Sequence, residues 1–301
     1  MPGSQAVRAD PRNHDVLIWL NGRLVPRTQA VVSVFDAGFI AGDGVWEGLR
    51  LHRGRLLFLD AHLDRLTAGA AAIALAIGLD RAGLAAALKE TCAANAMTDG
   101  VHIRLMVTRG PKSTPSQDPA QSLGPATIAI VAEHKQPAPE LAREGIALAT
   151  ASLRCPRSDQ FAMRLNSHSR LPLIMALLEA RRAGADEALL LDDAGFIATC
   201  NATNFFFVRD GIVCVSTGRA GFVGITRGKV IALCAAHGIP LACEDHLATA
   251  LAGATEAFVT GTFGGLTPVR AIDGRRFAAV PGPLTTRLSA LYAALIDAEA
   301  G

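Results

Sequence analysis

The sequence predicts an α+β protein of two domains, and two observations carry that prediction. Strand and helix patterns are mixed along the chain without strict strand–helix alternation, and hairpin turns recur between the strands. Residues 133–140 (EHKQPAPE) form a polar segment with two prolines between two regions of regular pattern. We therefore expect a disordered start over residues 1–14, a small α/β domain over 15–132, a linker over 133–144 and a large domain over 145–301.

The first half begins with a hairpin signal. Asn21-Gly22 separates two short apolar runs, which is typical of a type I′ turn. Asp60 fits a helix N-cap, because apolar residues then recur at helical spacing as far as Ile73. The other predicted elements of this half are, in chain order, strands over 46–51 and 56–59, a helix over 81–95, and strands over 101–108 and 126–131.

The second half contains a candidate anion site at a helix start. Gly224 precedes a predicted helix and is followed by Ile225 and the hydroxyl residue Thr226. Such a start presents backbone N–H groups and the positive end of the helix dipole to an anion, although many helices begin this way for capping alone. The remaining predicted elements are strands over 146–152, 187–191, 202–208 and 257–260, and helices over 171–182 and 283–298.

Composition argues against several classes of protein. The net charge is +2 and the basic residues are scattered, so nothing favours a nucleic-acid partner. No apolar run reaches the roughly 18–20 residues that span a bilayer, and the polar start lacks the apolar core of a signal peptide. The six cysteines lie far apart without a CxxC pair, which predicts reduced thiols, no metal site and a cytoplasmic protein.

Six segments of the sequence indicate a protein family. Each is a weak indicator alone, but the six together are specific. They are FDAGFIAGDGVWEGLR (35–50), FLDAHLDRL (58–66), HIRLMVTRG (102–110), GADEALLLDDAGFIATCNATNFFFVRDG (184–211), GITRG (224–228) and ATEAFVTGTFGGLTPVR (254–270). In this order and at these intervals they resemble the fold-type IV aminotransferases, which include branched-chain and D-amino-acid aminotransferases and aminodeoxychorismate lyase. The resemblance covers nearly the whole chain from Ile18 to about Gly274, and it implies that family's fold.

The resemblance implies pyridoxal 5′-phosphate or pyridoxamine 5′-phosphate as cofactor, a small amino acid, amine or keto acid as partner, and a homodimer. It assigns the cofactor's phosphate to a cup that includes Arg65, Thr226 and Thr262. The full set of implied cofactor-binding positions is Arg65, Thr199, Asn204, Ile225, Thr226 and Thr262. The implied substrate-pocket positions are Trp46, His102 and Arg104.

Ordinary structural roles remain open for several of these residues. Arg65 taken alone is a surface arginine on its helix, and Trp46 is equally well explained as a core residue. His102 and Arg104 share one face of a predicted strand, whereas Arg109 lies on the opposite face if the strand stays regular.

The pattern departs from the family at two positions. The family's catalytic lysine lies in a motif resembling K-S-x-N-[YRL]-L, about a dozen residues before a Glu-Ala pair. Here residues 164–171 read RLNSHSRL before Glu179-Ala180, so the lysine position falls on Asn166. The carboxylate partner of the pyridine nitrogen belongs to a segment like [ILV]-x-E-x-x-x-x-N, and its position here is Thr199.

These replacements remove the groups that ordinary transamination uses. The lysine holds the cofactor and then acts as the base, and the acid keeps the ring nitrogen protonated. A threonine cannot be the anionic partner, so we expect a neutral ring. His168 and Arg170 are the obvious residues to replace the missing groups. The alternative for His168, a histidine that hydrogen-bonds the backbone at a loop–helix junction, stays open. The four lysines of the chain are Lys89, Lys112, Lys135 and Lys229.

Three hypotheses follow. The first is an enzyme that binds pyridoxal or pyridoxamine phosphate non-covalently and acts on an amino acid or amine without an internal aldimine. Its catalytic candidates are Asn166, His168 and Arg170. The second is a lyase or isomerase of altered chemistry on the same scaffold. The third is a non-catalytic binding or regulatory homologue.

Overall fold

The computed structural model describes residues 3–300, and the chain divides into two compact units. The change of unit after Gln136 lies inside the predicted linker. The small unit contains Arg8–Gln136, Leu165–Arg170 and residues 299–300. The large unit contains residues 3–7, Pro137–Arg164 and Leu171–Ala298.

Three short stretches, residues 3–7, Leu165–Arg170 and residues 299–300, belong to units that the sequence did not indicate. The first two have clear physical causes. Residues 3–7 pack with the large unit because Ser4 is buried and donates hydrogen bonds to Glu187, which differs from the disordered start expected over residues 1–14. Residues 1 and 2 of that expected segment lie outside the described chain. Leu165–Arg170 belongs to the small unit because its backbone bonds to Gly44 and Trp46. Both assignments depend on partners far away in the sequence, and local patterns carry no such information.

The small unit contains a six-stranded antiparallel sheet, and two of its helices, α2 and α3 below, pack on one face of it. Its strands are β1 (Leu17–Leu20), β2 (Arg23–Pro26), β3 (Gly44–His52), β4 (Arg55–Leu56), β5 (Val101–Thr108) and β6 (Thr127–His134), and its helices are α1 (Ala37–Ala41), α2 (Leu59–Ala72) and α3 (Arg81–Ala94). The order across the sheet is β2-β1-β6-β5-β3-β4, with antiparallel neighbours throughout.

Strand β5 shows why the two faces of this sheet differ. Its residues alternate between buried and half-buried, because successive side chains of a strand point to opposite faces. Ile103 belongs to one apolar core with Leu63 of α2 and Leu88 of α3. His102 and Arg104 therefore lie on the face away from the helices.

The large unit is built on a nine-stranded sheet. Its elements are α4 (Leu141–Glu144), β7 (Ile146–Arg154), α5 (Leu171–Arg182), β8 (Glu187–Leu191), β9 (Ile197–Cys200), β10 (Asn204–Arg209), β11 (Ile212–Val215), α6 (Ile225–Ala236), β12 (Leu241–Cys243), β13 (Glu256–Gly261), β14 (Gly265–Ile272), β15 (Arg275–Arg276) and α7 (Pro283–Ala300). The strand order is β12-β11-β10-β13-β14-β7-β8-β9, and β15 pairs with β14. Every residue of β8 is buried, so this strand runs through the core.

The predicted α+β class is confirmed, and some local predictions are corrected. Asn21 and Gly22 both have positive φ (49° and 86°), as a type I′ turn requires. The N-cap prediction for Asp60 is wrong, because Phe58 precedes the helix in a left-handed conformation and Asp60 lies in its first turn. The sequence also missed two short helices and five strands, namely α1, α4, β9, β11, β12, β14 and β15. Within the described chain, no helix is both long and apolar enough to cross a membrane.

Candidate active site

In the small unit, Leu165–Arg170 extends the sheet along β3. The backbone N–H of Trp46 donates to the carbonyl of Asn166 (2.9 Å), and the N–H of His168 donates to Gly44 (3.0 Å). The Trp46 indole Nε1 donates to the carbonyl of Ser167 (3.0 Å). Peptide groups thus fix the position of residue 166, whatever its side chain.

The side chain of Asn166 is bound at both ends. Its Nδ2 donates to the carbonyl oxygen of Trp46, and its Oδ1 accepts from Nη2 of Arg170. The residue is only 5 % exposed. Because a carboxamide neither takes up a proton near neutral pH nor forms a bond to an aldehyde, Asn166 acts here as an anchor for Arg170.

Two guanidinium groups lie against one indole. Arg104 is 3.6 Å from the centroid of the Trp46 ring, and Arg170 is 5.2 Å from it. Burial lowers the pKa of Arg170 to about 10, and the like charges of Arg104 and Arg65 act in the same direction. Both groups remain protonated at neutral pH, so this surface favours an anion that has an apolar part for the indole.

His102 lies on the same face of the sheet as Arg104 and is neutral. Burial lowers its pKa to about 3, and the positive charges of Lys135 and Arg104 add to that effect. Arg109 lies beyond the end of β5, where it binds Asp43 (2.6 Å) and the carbonyl of Ile73 (2.8 Å). Arg109 thus joins the end of α2 to the loop before β3.

Arg65 is half-buried and bound by a carboxylate. Its Nε and Nη2 donate to the two oxygens of Glu47 at 2.7 and 2.6 Å, and Nδ1 of His62 lies 2.7 Å from the same carboxylate. Burial alone would raise the pKa of Glu47, but the hydrogen bonds from Arg65 and His62 hold it below its ordinary value. Glu47 therefore stays ionised and fixes the guanidinium in one orientation.

His168 is enclosed beside the start of β3. A Cβ atom on Gly44 would lie 2.7 Å from Cδ2 of the His168 ring, so only glycine fits there. Burial lowers the pKa of His168, while a hydrogen bond with the backbone of Val45 opposes the shift. Among the described residues its Nε2 has no hydrogen-bond partner. The ring is therefore a neutral imidazole fixed by backbone, with one unused nitrogen.

In the large unit, α6 begins without a side-chain cap. Gly224 is the N-cap, in an extended conformation, and Thr226 of the first turn is buried. A Cβ on Gly224 would collide with Oδ1 of Asn204. Asn204 accepts from the N–H of Gly224 (3.1 Å) and donates to the carbonyl of Phe222, so it shapes the loop before α6.

Thr260 is a candidate site residue that the sequence did not single out. It lies directly opposite Asn204 in the β10–β13 pair and is 1 % exposed. Its hydroxyl has no hydrogen-bond partner among the described residues. Thr262 follows in the turn after β13 and is half-buried. An uncapped helix start beside an unpartnered hydroxyl has the donor set that a phosphate group needs. The only signal in the sequence was a second threonine two residues before Thr262.

Thr199, on β9, is buried, and its hydroxyl is hydrogen-bonded to the backbone. Its Oγ1 lies 2.9 Å from the carbonyl oxygen of Thr203. A carbonyl only accepts, so the hydroxyl proton must point at Thr203 and the remaining lone pairs can only accept.

Comparison with known proteins identifies the family. The family model described as "Amino-transferase class IV" matches residues 44–272. The chain belongs to the class IV aminotransferase family. A putative branched-chain-amino-acid aminotransferase of Methanocaldococcus jannaschii is 37 % identical over 259 residues, which cover 86 % of this chain and 88 % of that protein.

Two further class IV relatives extend the comparison. Branched-chain-amino-acid aminotransferase-like protein 2 of Arabidopsis thaliana is 36 % identical over 288 residues, covering 95 % of this chain and 51 % of the relative. The chain thus spans about half the length of that relative. A branched-chain amino acid aminotransferase from T.th., complexed with N-(5′-phosphopyridoxyl)-L-glutamate, superposes with a TM-score of 0.87 at 29 % identity, covering 95 % of each chain. The predicted fold-type IV architecture is confirmed.

The lysines of this class IV aminotransferase homologue lie in other elements than the Asn166 segment. Lys89 is on α3 and Lys229 on α6. Lys112 is buried in the loop after β5, where its Nζ donates to the carbonyl of Asp118 (3.0 Å). Lys135 follows β6.

Proposed function

We propose that this class IV aminotransferase homologue binds pyridoxal or pyridoxamine phosphate non-covalently and acts on an amino acid, an amine or a keto acid. The observation that carries the proposal is the Asn166 carboxamide, which is bound at both ends at the position where the family has its lysine. When bound, the cofactor supplies an aldehyde or amine group and an electron-accepting ring.

The phosphate half of the proposal is supported by the large unit. The uncapped start of α6 offers backbone N–H groups, and the unpartnered hydroxyl of Thr260 offers one more donor. The solved relative with a TM-score of 0.87 carries a phosphopyridoxyl group. Arg65 is the further phosphate ligand that the family resemblance assigns, and its bidentate contact with Glu47 orients it.

The substrate half is supported by the small unit. Arg104 and Arg170 present positive charge beside the Trp46 indole, so they can bind a carboxylate while the indole contacts an apolar part. Neutral His102 adds a hydrogen-bonding group without adding charge. Asn166 cannot move a proton, so His168, through its unused Nε2, is the candidate base.

Absorbance and mass spectrometry test the proposal directly. Purified protein is incubated with pyridoxal 5′-phosphate, treated with borohydride and digested, and a parallel sample is dialysed. We expect saturable binding, complete loss of cofactor on dialysis and no modified lysine peptide. A reduced adduct on any lysine would contradict the proposal, and so would the absence of binding by calorimetry.

We also propose a homodimer, as the resemblance implies. Nine of the large hydrophobic side chains that the described chain exposes fall in two short segments, and clustered apolar exposure is typical of interaction surfaces. One segment is a stripe on α5 with the spacing i, i+3, i+4, i+7, which suits a two-fold interface with a second copy. The nine are Val31, Val32, Val34, Phe35, Phe39, Leu171, Ile174, Met175 and Leu178.

Sedimentation velocity tests the dimer. Leu178→Glu is expected to shift the protein to monomer, whereas Leu247→Glu, at an equally exposed position outside both segments, is expected to leave the dimer intact. A monomeric wild type, or equal effects of the two variants, would contradict the assignment.

A further inference from the structure

A buried carboxylate of the large unit, Glu187, has no part in the function proposed above. It is 1 % exposed at the start of β8. Its Oε1 accepts from the backbone N of Ser4 (2.7 Å) and from the Ser4 hydroxyl, and its Oε2 lies 3.1 Å from the hydroxyl of Thr203. Three donors around one carboxylate stabilise its ionised form.

The same Thr203 links Glu187 to Thr199. The Thr203 carbonyl accepts both from Oγ1 of Thr199 and from the backbone N of Cys200, each at 2.9 Å. Thr199 therefore has no proton left to donate, and it can only accept a hydrogen bond from a third group. A protonated ring nitrogen is a donor that matches this requirement, whereas an unprotonated one is not.

We propose that Glu187 supplies the negative charge that position 199 lacks, and that Thr199 accepts a hydrogen bond from the protonated ring nitrogen of a bound pyridoxal compound. This inference rests on the proposed function, and it reverses the expectation of a neutral ring. A buried charge acts over several hydrogen bonds because few water molecules screen it. Glu187 and Ser4 are thus positioning residues, and Thr199 is the contact.

The surroundings of Glu187 contain few other titratable groups. Asp186 precedes it and is bound by Nη2 of Arg270 (2.8 Å). Cys200 on β9 has its pKa raised by burial and remains a thiol, and Cys155 follows β7 and is also buried. Burial, with a smaller effect of Asp186, raises the pKa of Glu187 above its ordinary value, and the hydrogen bonds from Ser4 and Thr203 oppose that rise. Removing Ser4 or Thr203 donors is therefore expected to favour the protonated acid.

The start of the chain is shaped to supply these donors. A Cβ on Gly3 would lie 2.9 Å from the carbonyl of Asp186, so glycine allows the close approach that brings Ser4 to the carboxylate. Ser4 is 1 % exposed. Its hydroxyl and N–H together replace two of the water contacts that a buried carboxylate loses.

The test uses pyridoxine 5′-phosphate, which has no aldehyde and so binds only non-covalently. Affinity is measured by calorimetry between about pH 6 and 9, and the absorption of the bound ligand reports its ring protonation. For wild type we expect affinity to fall as the ring nitrogen loses its proton. Glu187→Gln is expected to lower the pKa of the bound ring by about one unit, which is about tenfold weaker binding of the protonated ligand.

Glu256→Gln is the matched control. Glu256 is also buried in the large unit and accepts from three donors, the N–H groups of Leu284 and Thr285 and the Thr285 hydroxyl. It caps α7, so its variant should leave the ligand titration unchanged. Thr203→Val removes the hydroxyl that donates to Glu187 and should lower the pKa of the bound ring as Glu187→Gln does. Thr203→Ser keeps a hydroxyl and should titrate like wild type. This pair tests the inference if Glu187→Gln does not fold.

The possible outcomes separate the two proposals. Ligand binding by wild type with an identical titration in Glu187→Gln or Thr203→Val overturns this inference alone. An equal shift in Glu256→Gln overturns it too. No binding by wild type at any pH overturns the proposed function and this inference with it.

Discussion

A lysine introduced at position 166 is expected to form a covalent bond to the cofactor aldehyde, and the pKa of its amine is expected to lie far below the ordinary lysine value. Asn166 now accepts a hydrogen bond from Arg170 and donates one to the Trp46 carbonyl. A lysine cannot accept, and its ammonium would face the guanidinium that the carboxamide oxygen now binds. Arg104 lies against the same indole and adds to the repulsion.

The magnitude follows from charge and burial. Two unit positive charges about 4 Å apart repel by about 4 kcal/mol at an effective dielectric constant of about 20. This corresponds to about 3 pKa units, so the new amine is expected to titrate at about pH 7–8 instead of about 10.4. Arg170 also loses the acceptor at Asn166, which is expected to lower the free energy of unfolding by about 1–3 kcal/mol.

Borohydride trapping as a function of pH measures the amine, and urea unfolding measures the cost. Asn166→Lys is compared with the double variant Asn166→Lys/Arg170→Met, in which the opposing charge is gone. The double variant should show a lysine pKa at least about one unit higher. An ordinary pKa near 10 in the single variant, or equal values in the two, would refute this account of the site.

Three further changes test other contacts. Gly224→Ala should weaken pyridoxine 5′-phosphate binding at least about tenfold by calorimetry, because its Cβ would collide with Oδ1 of Asn204; unchanged affinity would contradict the phosphate site. Glu47→Gln should lower the urea-derived free energy of unfolding by about 3 kcal/mol, since it leaves Arg65 without its buried counter-charge. The pKa of His102 is about 3 in the folded state and 6.5 by itself, so wild type should lose stability as the pH falls from 6.5 towards 3. His102→Gln should flatten that loss in urea titrations at several pH values, and a parallel loss in both proteins would argue against a neutral His102.

Elements with strong local signals could be predicted from the sequence. The Asn21-Gly22 turn succeeded because its conformation needs two residues that tolerate positive φ, and few other residue pairs do. The N-cap at Asp60 failed because Phe58 enters the helix from a left-handed conformation, which no propensity indicates. A local element can be predicted from the sequence where its backbone conformation requires a particular residue type.

The candidate site divides in the same way. Asn166 and Thr199 could be singled out as candidates because motif spacing indicates a position even when its residue type changes. The orphan hydroxyl of Thr260 and the Ser4–Glu187 contact were not found, since each exists only after strands or segments remote in sequence have met. The hydrogen bond by which Asn204 holds the loop at Gly224 could not be predicted either. The spacing of the motif indicates that Asn204 lies near a ligand, but it does not indicate which group Asn204 contacts.

The backbone holds residue 166 in place, so the architecture at this position does not depend on the chemistry of its side chain. Main-chain groups of Asn166 and His168 complete the border of a sheet, and they would do so for almost any amino acid at that place. A lineage could therefore exchange the reactive amine for an amide in a single step and still pass on a folded protein. Descendants of that exchange would be free to explore other uses of an intact scaffold.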